Sequence, residues 1–96
     1  MFTGSLEADL LLGDVQSLKQ KRSVVRPIVA ALAKMQVSAA EVGDHDVHRR
    51  ARIGVAVVAA DARHVGEVLD TCERLLAGRP EVELLSVRRK IRGDDD

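Results

Sequence analysis

Residues 2–12 alternate between two kinds of side chain, and no other part of the chain constrains the fold as strongly. The polar residues of this segment share one parity: Thr3, Ser5, Glu7 and Asp9. The other parity is apolar or glycine: Phe2, Gly4, Leu6, Ala8, Leu10 and Leu12. A period of two is typical of a strand that buries one face and exposes the other. The chain is therefore predicted to begin with a long strand in a sheet that is covered on one side.

Two later segments carry apolar residues at helical spacing. Residues 17–20 form a capping box that starts the first helix, which is expected to run to about Met35. Pro27 is expected to kink this helix, because proline removes a backbone donor and clashes one turn back; a break before Pro27 is the alternative. Asp61 is predicted to cap a second helix, which ends before Gly78.

Three further strands complete the pattern, at residues 37–42, around residues 53–58 and at residues 81–91. The chain order is then βαββαβ. Both helices can bury their apolar stripes on one face of a four-stranded antiparallel sheet if each βαβ half makes a right-handed crossover. We therefore predict an α+β, ferredoxin-like fold. It forms a single domain over residues 1–92, followed by an acidic disordered tail at residues 93–96.

Charge and cysteine content limit the classes of partner and compartment. The chain has 15 basic residues (Lys and Arg) and 15 acidic residues (Asp and Glu), so its formal net charge is zero. No overall electrostatic field therefore attracts the protein to nucleic acid or to a membrane. Recognition of a DNA sequence is not expected. The lone Cys72 cannot form an internal disulfide, and the apolar run at residues 10–12 is too short for a signal or a membrane span. A cytoplasmic location is expected.

The first helix is the most informative electrostatic feature, because no acidic residue occurs between Asp14 and Glu41. Unpaired backbone N–H groups in its first turn also favour anions. Lys21 falls within the apolar stripe, so its stem is expected to pack while its ammonium group reaches outward. The candidates for contact with RNA or another anion are Lys19, Lys21, Arg22 and Arg26. The alternative interpretation is a solvated helix face that keeps the protein soluble.

Other polar groups are interpreted as structural. Oxygen and nitrogen ligands occur together in the loop at residues 44–48, but no cysteine lies nearby, and a polar hairpin is favoured. The weak candidates for a metal site are His45, Asp46 and His48. No metal and no cofactor is therefore predicted. The basic residues at 88–92 are interpreted as a charged edge strand that resists aggregation, and Cys72 as an inert core thiol.

Two classes of protein with this chain order are excluded on chemical grounds. Residues 13–16 resemble the phosphate loop of acylphosphatases, which need an asparagine to orient water, and this chain contains none. RNA-recognition motifs stack bases on aromatic side chains of the sheet, whereas Phe2 is the single aromatic residue here. Glu7 and Asp9 are expected to be solvated on the open face. Any contact with RNA would therefore use backbone phosphates and read little sequence.

Four stretches together resemble the YlxP-like family of small bacterial proteins, which is catalogued as a domain of unknown function. They are Leu10-Leu11-Leu12-Gly13-Asp14, Ser17-Leu18-Lys19-Gln20-Lys21-Arg22, Val37-Ser38-Ala39-Ala40-Glu41-Val42 and Ile53-Gly54-Val55-Ala56-Val57-Val58. The resemblance implies a ferredoxin-like fold and no established catalytic residues. Genes of the family often lie among translation-initiation and ribosome-maturation genes, which implies a role near the small ribosomal subunit. His48 departs from the family, since many relatives carry an aromatic residue there.

Three functional hypotheses follow. The first is a non-enzymatic accessory protein that contacts ribosomal RNA, or a ribosome-associated factor, through the basic first helix. The second is a homodimerising module that pairs through its open sheet face or an edge strand. The third, an enzyme with a metal in the histidine-rich loop, is the least favoured of the three.

Overall fold

A computed structural model describes residues 1–95 of the chain. Its elements are β1 (Phe2–Leu12), α1 (Leu18–Ala33), β2 (Ser38–Gly43), β3 (Arg50–Ala59), α2 (Ala62–Ala77) and β4 (Val82–Arg92). The four strands form one antiparallel sheet in the order β2-β3-β1-β4. This order, with two crossover helices, is the ferredoxin-like arrangement. The predicted α+β fold is confirmed.

The alternation of β1 has the expected consequence for packing. Leu6, Ala8 and Leu10 are almost fully buried under the helices, while Ser5 is exposed on the other face. Helix α2 packs on β1 and β4, and α1 packs mainly on β2. A Cβ atom at Gly4 would overlap Val65 Cγ1, so glycine at this position lets α2 approach β1 closely.

Helix α1 begins where the capping box predicts. Ser17 Oγ accepts a hydrogen bond from the Gln20 backbone N–H at 3.1 Å, which satisfies one of the free donors of the first turn. The helix then continues through Pro27 to Ala33, so the alternative of a break before Pro27 is wrong. Gln36 adopts a φ of 62°, in the left-handed region, as the chain turns towards β2. The helix therefore ends slightly earlier than expected.

The first residues of the chain lie close to Gly93 and Asp94. The N-terminal ammonium group of Met1 lies 3.0 Å from the Asp94 carboxylate. A Cβ atom at Gly93 would lie 2.7 Å from Phe2 Cε1, which shows how closely the chain passes Phe2. Of the tail expected at residues 93–96, Asp96 lies outside the described residues. Within residues 1–95, neither helix combines the length and the apolar content that crossing a membrane requires.

A candidate anion-binding face on the first helix

Three of the candidate cations lie together on the exposed side of α1. Lys19, Arg22 and Arg26 are all exposed, and they line a depression of about 600 Å³ together with Ser23 and Pro27. With 3.6 residues per turn, the three positions fall within about 60° of one another around the helix axis. We call Lys19, Arg22 and Arg26 the basic face.

No carboxylate within residues 1–95 forms an ion pair with the basic face. Other arginines are engaged: Arg52 and Arg88 pair with Asp9, and Arg89 pairs with Asp70 at 2.8 Å. Lys19 also lies in the first turn of α1, where the helix dipole adds positive potential. The basic face is therefore an uncompensated positive patch on a chain whose formal net charge is zero.

Lys21 lies elsewhere, which corrects the sequence-based expectation. Its side chain is buried, with only 2% of the residue exposed, and its Nζ lies 2.9 Å from Glu41 Oε2. The same ammonium group donates a hydrogen bond to the backbone carbonyl of Asp44. The stem follows the apolar stripe as expected, but it ends against β2 and the following loop instead of in solvent. Lys21 is therefore not part of the basic face.

The burial of Lys21 orients the basic face. Successive helical residues are rotated by about 100°, so Lys19, Arg22 and Arg26 lie on average about 130° away from Lys21. Fixing Lys21 on Glu41 and on the loop carbonyl therefore leaves these three side chains on the exposed part of the helix. The ion pair thus joins the start of α1 to the end of β2 and holds the exposed cations towards solvent.

A second charged cluster, which sequence reasoning missed, lies on the open face of the sheet. Asp9 is only 7% exposed; its carboxylate accepts hydrogen bonds from Ser86 Oγ at 2.7 Å and from Arg52 Nε at 3.0 Å. Together with a bond from Arg88, these contacts lower the pKa of Asp9 to about 2. Glu7 lies 3.2 Å from Arg88 NH2. The expectation that Asp9 is solvated is therefore wrong, and it is held as a paired anion.

The signal for this cluster exists only once the strand order is known. Asp9 lies opposite Arg52 across the β1–β3 pair, and Glu7 lies opposite Arg88 across the β1–β4 pair. Both contacts join residues more than forty positions apart. A carboxylate that accepts several hydrogen bonds, some of them from cations, is favoured in its ionised form, so Asp9 is poorly suited to acid–base catalysis.

The loop between β2 and β3 does not gather a metal-ligand set. His45, Asp46 and His48 are all exposed. Within residues 1–95, no three His, Cys, Asp or Glu side chains converge in a way that could hold a metal ion. Cys72 lies in the core, where burial raises the pKa of its thiol, and its Sγ is 3.8 Å from Met35 Sδ. The basic face is thus the strongest candidate site.

Comparisons with known proteins agree with the resemblance seen in the sequence. Residues 3–89 match the family model described as "Protein of unknown function (DUF503)". The chain is 30% identical over 81 residues to the uncharacterized protein YlxP of Bacillus subtilis (strain 168), covering 83% of this chain and 88% of that protein. A designed protein with a ferredoxin fold, solved by NMR, is similar with a TM-score of 0.49 and 14% identity over 98% of this chain and 88% of its own. The chain belongs to the YlxP-like family of unknown function.

Proposed function

We propose that this protein is a non-enzymatic, cytoplasmic accessory factor of translation that contacts ribosomal RNA phosphates through the basic face. The observation that supports this proposal is the cluster of Lys19, Arg22 and Arg26, which is exposed and without a carboxylate partner among residues 1–95. The family resemblance supports the choice of the ribosome as the source of the phosphates.

The chemistry of the face favours phosphate contact over base recognition. Arginine guanidinium groups bind phosphate oxygens in a bidentate geometry, and Lys19 adds a point charge at the helix start. The residues that line the depression at the basic face, Lys19, Arg22, Ser23, Arg26 and Pro27, include no aromatic ring on which a base could stack. Binding should therefore be weak in sequence preference and strong in salt dependence.

The number of cations sets the expected salt dependence. Each neutralised phosphate contributes about 0.7–0.9 to the slope of log K against log salt, so three contacts give a slope of about −2 to −3. Raising the salt from 50 to 200 mM should then weaken binding by about 20- to 60-fold. A sucrose gradient at these two salt concentrations, with purified small ribosomal subunits, measures the change as loss of co-sedimentation.

Charge-reversal variants distinguish the contribution of the basic face to binding from the contribution of the net charge. The variant Lys19→Glu/Arg22→Glu/Arg26→Glu should abolish co-sedimentation at 50 mM salt. The matched control, Lys34→Glu/Lys90→Glu/Arg92→Glu, changes the net charge equally at exposed positions that also lack an ion pair within residues 1–95. It should retain binding. Undiminished binding of the first variant, or equal loss in both, would refute the proposal.

The alternative of a homodimerising module makes a different prediction. Light scattering behind a sizing column would then give twice the mass of one chain, and co-sedimentation with ribosomal subunits would be absent. A monomer that co-sediments with the subunits favours the RNA proposal over self-association.

A further inference from the structure

A second hollow, of about 440 Å³, shares Arg22 and Arg26 with the basic face but lies between α1 and β2. It is lined by Arg22, Val25, Arg26, Val29, Ala30, Ala33 and Glu41. We call it the α1–β2 groove. Its apolar residues come from α1, and the small side chains of Ala30 and Ala33 leave the space open. Its volume is within the range of about 300–1,000 Å³ that is common for binding sites.

The strand beside the groove has a free edge. β2 is the outermost strand of the sheet and pairs with β3 on one side only, and no strand of residues 1–95 pairs with its other side. Alternate N–H and C=O groups of Ser38–Gly43 therefore face outward without a strand partner. An extended segment of another protein can add to such an edge through main-chain hydrogen bonds, while its alternate side chains enter a neighbouring groove.

The charges around the groove select an acidic occupant. Arg22 and Arg26 stand at one end without a carboxylate partner in the described chain. Glu41 also lines the groove, but its carboxylate is engaged by Lys21 Nζ at 2.9 Å. The groove therefore offers two uncompensated positive charges next to an apolar floor formed by Val25 and Val29. An anionic side chain followed by apolar ones complements this arrangement.

We propose that the α1–β2 groove binds an acidic, extended protein segment that adds to β2 as a fifth strand. From Arg22 to Ala33 the groove follows α1 for about 16 Å, which matches about five residues of extended chain. Three side chains of one parity then face α1. The carboxylate of one lies between Arg22 and Arg26, and the two apolar side chains lie against Val29 and Ala33.

A second copy of this chain fits the groove less well. The one carboxylate that β2 carries, Glu41, is already paired with Lys21, so a second β2 edge brings no free carboxylate to Arg22 and Arg26. An acidic segment neutralises the same arginines. If the RNA proposal also holds, the two ligands compete, because both use Arg22 and Arg26; only this competition rests on the proposed function.

Synthetic heptapeptides test the strand-addition proposal directly. The probe carries glutamate, valine and valine on one parity and threonine on the other, and its binding is followed by fluorescence anisotropy. We expect it to bind at least tenfold more tightly than the peptide with lysine in place of glutamate. In an added strand only every second N–H group faces β2. N-methylation of those amides should therefore abolish binding, whereas N-methylation of the other set should leave it unchanged. In NMR spectra the largest amide shifts should fall on residues 38–43.

Variants separate this surface from the basic face. Ala33→Leu fills the groove with a good helix former and should weaken peptide binding at least tenfold while RNA co-sedimentation is retained. Ala30→Leu is the second variant if the first melts early. Lys19→Glu changes a residue outside the groove, so it should weaken RNA co-sedimentation and leave peptide binding unchanged. Arg22→Glu/Arg26→Glu should lose both.

Several outcomes overturn the inference. Absence of saturable peptide binding, equal binding of the glutamate and lysine peptides, or shifts confined to β4 would each do so. A dimer by light scattering, with protection of the β2 amides, would assign the groove to a second copy instead. If the native chain co-sediments with ribosomal subunits but does not bind the peptide, only the strand-addition inference is wrong. If it binds the peptide but does not co-sediment, only the RNA proposal is wrong.

Discussion

Replacing Lys21 with methionine should destabilise the fold, because the change removes the cation and keeps an apolar stem of similar length. Glu41 Oε2 then loses the ammonium group that lies 2.9 Å away, and no hydrogen-bond partner within residues 1–95 takes its place. Breaking a buried ion pair by removing one partner costs about 3–5 kcal/mol. The Glu41 side chain keeps 21% exposure, which lets water reach part of it. We therefore expect a loss of about 2–3 kcal/mol.

Thermal unfolding followed by far-UV circular dichroism measures this loss, since the chain lacks Trp and Tyr fluorophores. In a domain of this size about 1 kcal/mol corresponds to 4–8 °C, so Tm should fall by about 10–20 °C. Lys19→Met, the same charge change at an exposed position, should alter the stability by less than about 0.5 kcal/mol. Lys21→Met/Glu41→Leu should recover most of the loss, because no unpaired charge remains. Equal Tm values for Lys21→Met and Lys19→Met would show that the Lys21–Glu41 ion pair does not stabilise the fold.

Three further changes test other contacts. Because the pKa of Asp9 is lower in the folded chain, its ionised carboxylate stabilises the fold above the ordinary carboxyl pKa. The free energy of unfolding, measured by urea denaturation, should therefore fall as the pH is lowered from about 4 to 2. Asp9→Asn should make this pH dependence weaker and lower the free energy of unfolding by about 1–2 kcal/mol at pH 7. Gly4→Ala should cost about 1–3 kcal/mol because its Cβ meets Val65, whereas Gly66→Ala, with nothing within 4 Å, should stabilise α2 by about 0.5–1 kcal/mol in the same assay. Ellman's reagent should react with Cys72 far more slowly in the native chain than in urea, because burial both shields the thiol and raises its pKa; equal rates would contradict this placement.

The sequence predicted the fold well because the relevant signals are local. The alternation of residues 2–12 specifies which face of β1 is buried, and the Ser17 hydroxyl caps α1 where the capping box places it. The parity of the last strand also separates Arg88 from Arg89, which pair on opposite faces with Asp9 and Asp70. Periodicity and capping are properties of neighbouring residues, so no knowledge of the strand order was needed.

The candidate site was predicted only in part, because ion pairing is a long-range property. The helical wheel placed the stem of Lys21 in the apolar stripe, but its carboxylate partner, Glu41, comes from a later strand. Likewise, Asp9 lies on the open face as its parity predicts, yet Arg52 and Ser86 from two neighbouring strands cover it. Local patterns indicate which way a charged side chain points, whereas the sheet order decides what it meets.

The burial of one lysine among four has a practical consequence for chemical labelling. An acylating reagent applied to the native protein should modify Lys19, Lys34 and Lys90, which are exposed, and spare Lys21. Acylation of Lys21 requires the start of α1 to separate from β2, so its slow appearance in a mass spectrum would record how often that junction opens. The same ammonium group that anchors the helix thus serves as a built-in reporter of local unfolding.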